Sequence, residues 1–137
     1  MTVLVSACLL GVPCRYDGQS KRHPLAQELC RRHRVIPVCG EIFGGLPTPR
    51  DPAERQGDKV ISCAGKDVTK AYTKGAETAL YFAKLNHVDF AVMKAKSPSC
   101  GKGLIYDGTF TGNKIPGNGV TVELLNANGI PVFTEDE

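Results

Sequence analysis

The chain has 137 residues and a formal net charge of +3, with 42% hydrophobic and 23% charged residues, a globular rather than disordered composition. That length is expected to form one domain, residues 1–137, whose buried surface makes disulfide staples unnecessary. The charge is too slight to mark a nucleic-acid binder, and no apolar run reaches the roughly 18 residues of a membrane helix.

Met1-Thr2-Val3-Leu4-Val5 lacks the basic segment and the apolar length of a signal peptide, so a cytoplasmic location is expected. Residues 2–7 read as a strand buried on both faces, followed by a Gly/Pro-rich loop from Gly11 to Gly18. Residues 23–33 read as a helix, with Pro24 in its first turn and Ala26, Leu29, Cys30 and His33 on one face. Residues 34–38 form a second strand, where Pro37 points to a sheet edge. A long loop over 40–57 is of the length that is usually functional. A small hairpin is expected over 59–67 around Ala64-Gly65-Lys66. The clearest helix spans 68–86, capped by Asp67, with Val68, Tyr72, Ala76, Ala79, Leu80 and Ala83 in one apolar stripe. A third strand over 89–94, a Gly-rich stretch over 97–118, a helix over 119–128 stopped by Gly129 and a strand over 130–134 complete the chain. The acidic tail Glu135-Asp136-Glu137 is expected to be solvated.

Strands alternating with helices imply an α/β fold: a Rossmann-like three-layer sandwich with a mostly parallel four-stranded sheet, order 2-1-3-4, plus a small β-hairpin. Ligands of such sheets bind beyond the carboxyl ends of the strands, where the strand order reverses. Cys8 follows the first strand, Cys39 the second, and Cys100 lies in the loop after the third. Since neighbouring strands lie about 4.8 Å apart, three thiols distant in sequence can meet at one rim. Three converging thiolates point to a metal centre with an open coordination position; the competing reading is that short, apolar cysteines simply pack at strand ends. Cys30 and Cys63 are expected to pack, and Cys14 stands as a spare ligand or gatekeeping thiol. No C-x-x-C pair is present, and Cys8 to Arg15 is one residue too long for the C-x5-R loop of a thiolate phosphatase.

Ser6-Ala7-Cys8-Leu9-Leu10-Gly11 with Arg15-Tyr16-Asp17-Gly18 resembles the opening of the thiouracil desulfidase family. Three further blocks match it: Val38-Cys39-Gly40-Glu41 with Gly44-Gly45-Leu46-Pro47-Thr48-Pro49-Arg50, Lys96-Ser97-Pro98-Ser99-Cys100-Gly101, and Tyr106-Asp107-Gly108-Thr109-Phe110. The resemblance implies a [4Fe-4S] cluster held by Cys8, Cys39 and Cys100, with one iron left open for the sulfur of a thiolated pyrimidine. It implies Glu41 as acid/base residue and Ser97 in the lining. The family reads Cys-Pro-Glu where this chain has Cys39-Gly40-Glu41.

On that basis desulfuration is expected to be hydrolytic, with no net redox change. Tyr16 is a candidate to stack on the pyrimidine, and Arg15, Arg50 and Lys96 to bind a phosphate if the substrate carries one. Asp17 is either a second proton carrier or a turn residue before Gly18, and Asp107-Gly108 is a candidate turn between Ile105 and Phe110. The partner is a small thiolated pyrimidine, not a membrane or a nucleic-acid polymer. Two alternatives stand beside this: a zinc hydrolase using the same three thiolates, and a non-catalytic iron–sulfur sensor or sulfur carrier.

Overall fold

Val3, Leu4 and Val5 have no exposed surface, because the strand they form, β1 (Thr2–Ser6), is covered on both sides. Alternation along the strand sends Val3 and Val5 into one apolar cluster and Leu4 into another. The computed structural model describes residues 1–136. A 3₁₀ turn over Ala7–Leu10 carries the chain off the end of β1 and closes on Gly11, whose φ of 99° suits glycine. Helix α1 (Pro24–Arg32) starts at His23, whose Nδ1 accepts the Leu25 N–H at 3.2 Å. Then follow β2 (Arg34–Val38), the short helix α2 (Gly40–Phe43), β3 (Ala53–Gln56), β4 (Lys59–Ser62) and the long helix α3 (Thr69–Leu85). The chain ends with β5 (Phe90–Met93), β6 (Leu104–Tyr106), β7 (Lys114–Pro116), α4 (Val120–Ala127) and β8 (Val132–Thr134).

The main sheet has the order β2-β1-β5-β8 and every pair in it is parallel, which is the expected 2-1-3-4 arrangement. Ala26 and Leu29 of α1 pack on the Val3/Val5 face, while Ala79 and Ala83 of α3 and Val122 and Leu125 of α4 pack on the Leu4 face. Pro37 lies in β2, at the sheet edge, where the N–H it lacks is not needed by a further strand. Among the described residues no helix is long and apolar enough to cross a membrane.

Several local expectations are corrected. The hairpin pairs β3 with β4 across Gly57-Asp58, so it begins six residues earlier than expected; the turn at Ala64-Gly65-Lys66 closes only an isolated bridge between Ile61 and Asp67. The turn chemistry at Gly65 is real, but Gly57, with φ 62°, makes the tighter reversal. A second hairpin, β6–β7, occupies the stretch taken as loop, with Asp107-Gly108 opening its connection. Val68 rather than Asp67 is the N-cap of α3, although Asp67 Oδ1 still accepts the Thr69 N–H at 2.9 Å. Cys30 and Cys63 do not pack: both are exposed. Glu135 is not solvated. Its carboxylate takes the Ala95 N–H at 2.6 Å and pairs with Lys94 Nζ at 3.1 Å, and its side chain is only 7% exposed. Glu137 lies outside the described residues.

Two glycines set how closely α2 approaches its neighbours. A Cβ on Gly75, within α3, would land on the Gly40 carbonyl oxygen. A Cβ on Gly40 would land on the Ser99 hydroxyl and lie 2.7 Å from that of Thr121. A side chain at position 40 therefore has no room in this packing. Gly75→Ala is expected to destabilise the protein by about 3 kcal/mol, the upper end of overpacking costs, because backbone atoms rather than a flexible side chain must yield. That corresponds to a drop of roughly 10 °C in melting temperature, measurable by circular dichroism.

Candidate functional site

Parallel strands put their carboxyl ends on one edge of the sheet, and three cysteines follow three adjacent strands there. Cys8 sits in the 3₁₀ turn after β1, Cys39 directly follows β2 as the N-cap of α2, and Cys100 lies in the loop after β5. All three line one cavity of about 550 Å³, a size common among small-molecule sites. Cys14 lines it too and is buried.

The thiols are crowded, and the pull of the nearby Arg50 on Cys14 does not offset that crowding. Contact with Cys14, then burial, push the Cys39 thiol well above its ordinary range. Burial pushes Cys100 up to about 12, with the nearby Cys39 adding to it. For Cys14 the contact with Cys39 pulls down, but contact with Cys8 and burial outweigh it and leave the thiol at about 11. A metal that binds such thiols must displace their protons, and it relieves the crowding when it does.

The donor set fits an iron–sulfur cluster better than a single ion. Among the described residues no group of three or more His, Cys, Asp and Glu side chains is placed to hold a single metal ion. A cluster is held by thiolates attached to different iron atoms and asks for thiols spaced around a cavity.

Glu41 stands in the first turn of α2, two residues after Cys39, and lines the same cavity. Arg50 Nε donates to its Oε1 at 3.1 Å, and the Tyr72 hydroxyl donates to the same oxygen at 2.6 Å. Burial, with the charge of Glu41 beside it, pushes the Tyr72 phenol upward, so it remains a donor. Arg50 is 5% exposed, and its other N–H groups reach the carbonyls of Cys14 (2.8 Å) and Pro47 (3.2 Å) and the Thr48 hydroxyl (3.0 Å). These bonds hold Glu41 and tie the Cys14 loop to α2, while Arg50 still lines the cavity.

The other expected residues divide. Arg15, Tyr16, Lys96 and Ser97 line the cavity. Ser97 Oγ also accepts the N–H groups of Ser99 (3.1 Å) and Cys100 (3.2 Å), so it fixes the turn that presents Cys100. Asp17 is not in the lining. Its Oδ1 accepts the Gln19 N–H at 3.0 Å and its Oδ2 lies 3.9 Å from Arg15, the turn role that was one of its two readings. Tyr72 was taken as part of an apolar stripe; its hydroxyl was the available signal, since a buried phenol needs a partner. Ser6, also in the lining, accepts the Lys94 N–H at 2.9 Å and helps join β1 to the end of β5.

A family model for 2-thiouracil desulfurase matches residues 3–137. The chain is 40% identical over 145 residues to the uncharacterized protein YbbK of Bacillus subtilis (strain 168), with 98% of this chain and 96% of that protein covered. It superposes with a TM-score of 0.93 on the solved structure of TudS, a [4Fe-4S]-dependent thiouracil desulfidase, at 49% identity over 98% of this chain and 91% of that one.

Proposed function

The chain belongs to the 2-thiouracil desulfurase family, and from that premise we propose that Cys8, Cys39 and Cys100 hold a [4Fe-4S] cluster beside which Glu41 moves the protons of the reaction. The protein is a [4Fe-4S]-dependent thiouracil desulfidase, an enzyme that cleaves a carbon–sulfur bond. The observation that carries the assignment of residues is the meeting of these three thiols and Glu41 in the lining of one cavity. In balance, a thiocarbonyl and water give a carbonyl and hydrogen sulfide, with no electron gained or lost.

When bound, the cluster supplies a soft, Lewis-acidic iron that polarises the thiocarbonyl C–S bond. The chain's residues do the rest. Glu41 Oε1 is occupied by Arg50 and Tyr72, so Oε2 is the oxygen that takes a proton from water as it adds to the ring carbon. The same carboxyl returns the proton as the sulfur departs. Arg50 and Tyr72 keep this carboxyl from rotating away, which is what positioning contributes to a proton transfer. The Ser97 hydroxyl, besides accepting two backbone N–H groups, has a proton to donate toward bound substrate. Tyr16 offers a ring to the pyrimidine, and Arg15 and Lys96 suit a phosphate where the substrate is a nucleotide. A cavity of about 550 Å³ suits a small molecule rather than a polymer, and six free cysteines suit the reducing cytoplasm.

The test is anaerobic reconstitution with iron and sulfide, followed by assay of sulfide release from 2-thiouracil. A brown protein that releases sulfide and forms uracil in equal amounts is expected. A colourless protein that binds one zinc, or a brown one without turnover, would refute this reading.

A further inference from the structure

Three non-glycine residues among those described have positive φ: His87 at 52°, Lys96 at 68° and Phe110 at 58°. Lys96 and Phe110 both line the cavity. A bulky aromatic residue in the left-handed region costs stability and persists only where its surroundings hold it there. The connection between β6 and β7 shows how it is held. Glu54 Oε1 accepts the N–H groups of Gly108 (3.0 Å) and Phe110 (3.2 Å), and Gln56 Nε2 donates to the Gly108 carbonyl at 2.9 Å. Gly108, with φ 94°, presses against β3, where a Cβ would stand 3.1 Å from the Arg55 carbonyl oxygen. Asp107 Oδ1 accepts the N–H and the hydroxyl of Thr109 at 2.9 and 2.6 Å. Three polar side chains, Glu54, Gln56 and Asp107, thus fix a loop whose central side chain is an apolar ring left 38% exposed.

That ring lies outside the buried core. Among the described residues it makes no ring–ring contact, and it belongs to none of the apolar clusters. Its neighbours in the lining include Arg15, Lys21, Lys96, Glu41 and Glu54, so it adds an apolar face to a lining that also carries charged groups and the rings of Tyr16 and Tyr106. We infer that Phe110 is a specificity-determining residue on which the planar ring of the substrate rests, selecting heteroaromatic thiocarbonyl compounds over open-chain ones. Flat, polarisable rings gain from stacking on an aromatic side chain, and a face fixed before binding loses little freedom when the ring arrives. This inference rests on the desulfidase reading and names the residue that gives it its preference for a ring.

Holo-protein is prepared anaerobically as wild type, Phe110→Gly, Phe110→Ala and Phe110→Tyr. Steady-state kinetics with 2-thiouracil, equilibrium dialysis with uracil, cluster absorbance and melting temperature are measured on each. Phe110→Ala and Phe110→Gly are expected to raise KM for 2-thiouracil and Kd for uracil about tenfold, with kcat changed less than about threefold and the cluster spectrum intact. Phe110→Tyr is expected to bind like wild type. Glycine suits a φ of 58°, so Phe110→Gly is expected to melt no lower than wild type while binding worse, a split that a merely structural role does not produce. Equal uracil affinity in wild type and Phe110→Gly, or a loss of affinity matched by a fall in melting temperature, overturns the inference. Wild type that binds uracil yet releases no sulfide instead overturns the desulfidase reading, because dialysis does not depend on turnover.

Discussion

Glu41→Gln is expected to lower kcat for sulfide release by roughly 10²- to 10⁴-fold, the usual contribution of a positioned general acid–base. Glutamine is the informative replacement. Its amide oxygen can still accept from Arg50 Nε and the Tyr72 hydroxyl, the two groups that meet Glu41 Oε1. What it loses is the ability to take a proton at the second oxygen. The cluster absorbance and the KM for 2-thiouracil are therefore expected to stay near wild type while turnover collapses. Alanine is a poorer choice, since it leaves the buried Tyr72 hydroxyl and the Arg50 Nε–H without their acceptor, at a cost of about 1–3 kcal/mol for each group. Tyr72→Phe is the graded companion, because it removes one of two bonds on Oε1 and leaves the carboxylate. It is expected to reduce kcat by much less than Glu41→Gln. Full activity in Glu41→Gln would show that another group carries the proton.

Replacing any one of Cys8, Cys39 or Cys100 with alanine is expected to abolish both the brown chromophore and sulfide release, because each presents its thiol from the end of a different strand. Cys30→Ala and Cys63→Ala form the control pair. Both side chains are exposed and neither lines the cavity, so their variants are expected to reconstitute and turn over like wild type. Cys14→Ala tests the fourth thiol of the cavity and is expected to keep the chromophore. Iron and sulfide content, read with the visible spectrum of each anaerobically reconstituted variant, decides the matter. A cluster retained at normal iron content in Cys100→Ala would remove that residue from the ligand set.

The α/β class, the parallel sheet and its strand order are legible in the chain itself, because each strand is a short apolar run and each helix carries a 3.6-residue stripe. The same reading places Cys8, Cys39 and Cys100 at one rim, since strands running the same way end on the same side. Errors cluster where local signals compete. Residues 53–67 hold two glycine turns, and only pairing with a partner strand decides which one makes the hairpin. Cys30 has the right spacing for the apolar face of α1 but lies just beyond the arc that the sheet covers.

Periodicity reports which face of an element is buried, not what that face will meet. Arg50, at a loop position, gives no local sign of its partners; folding brings its guanidinium to Glu41, Cys14, Pro47 and Thr48. Tyr72 matched an apolar stripe until α2 came close enough for its hydroxyl to reach a carboxylate 31 residues away in the chain. That approach depends on Gly40 and Gly75 having no side chains, a fact about two backbones in contact that neither segment announces alone. Local chemistry determined the strands, the helices and the thiols that end them. Only the tertiary structure decided which groups hold Glu41 and where the ring of Phe110 is set, because those contacts join segments whose separation in sequence carries no local signal.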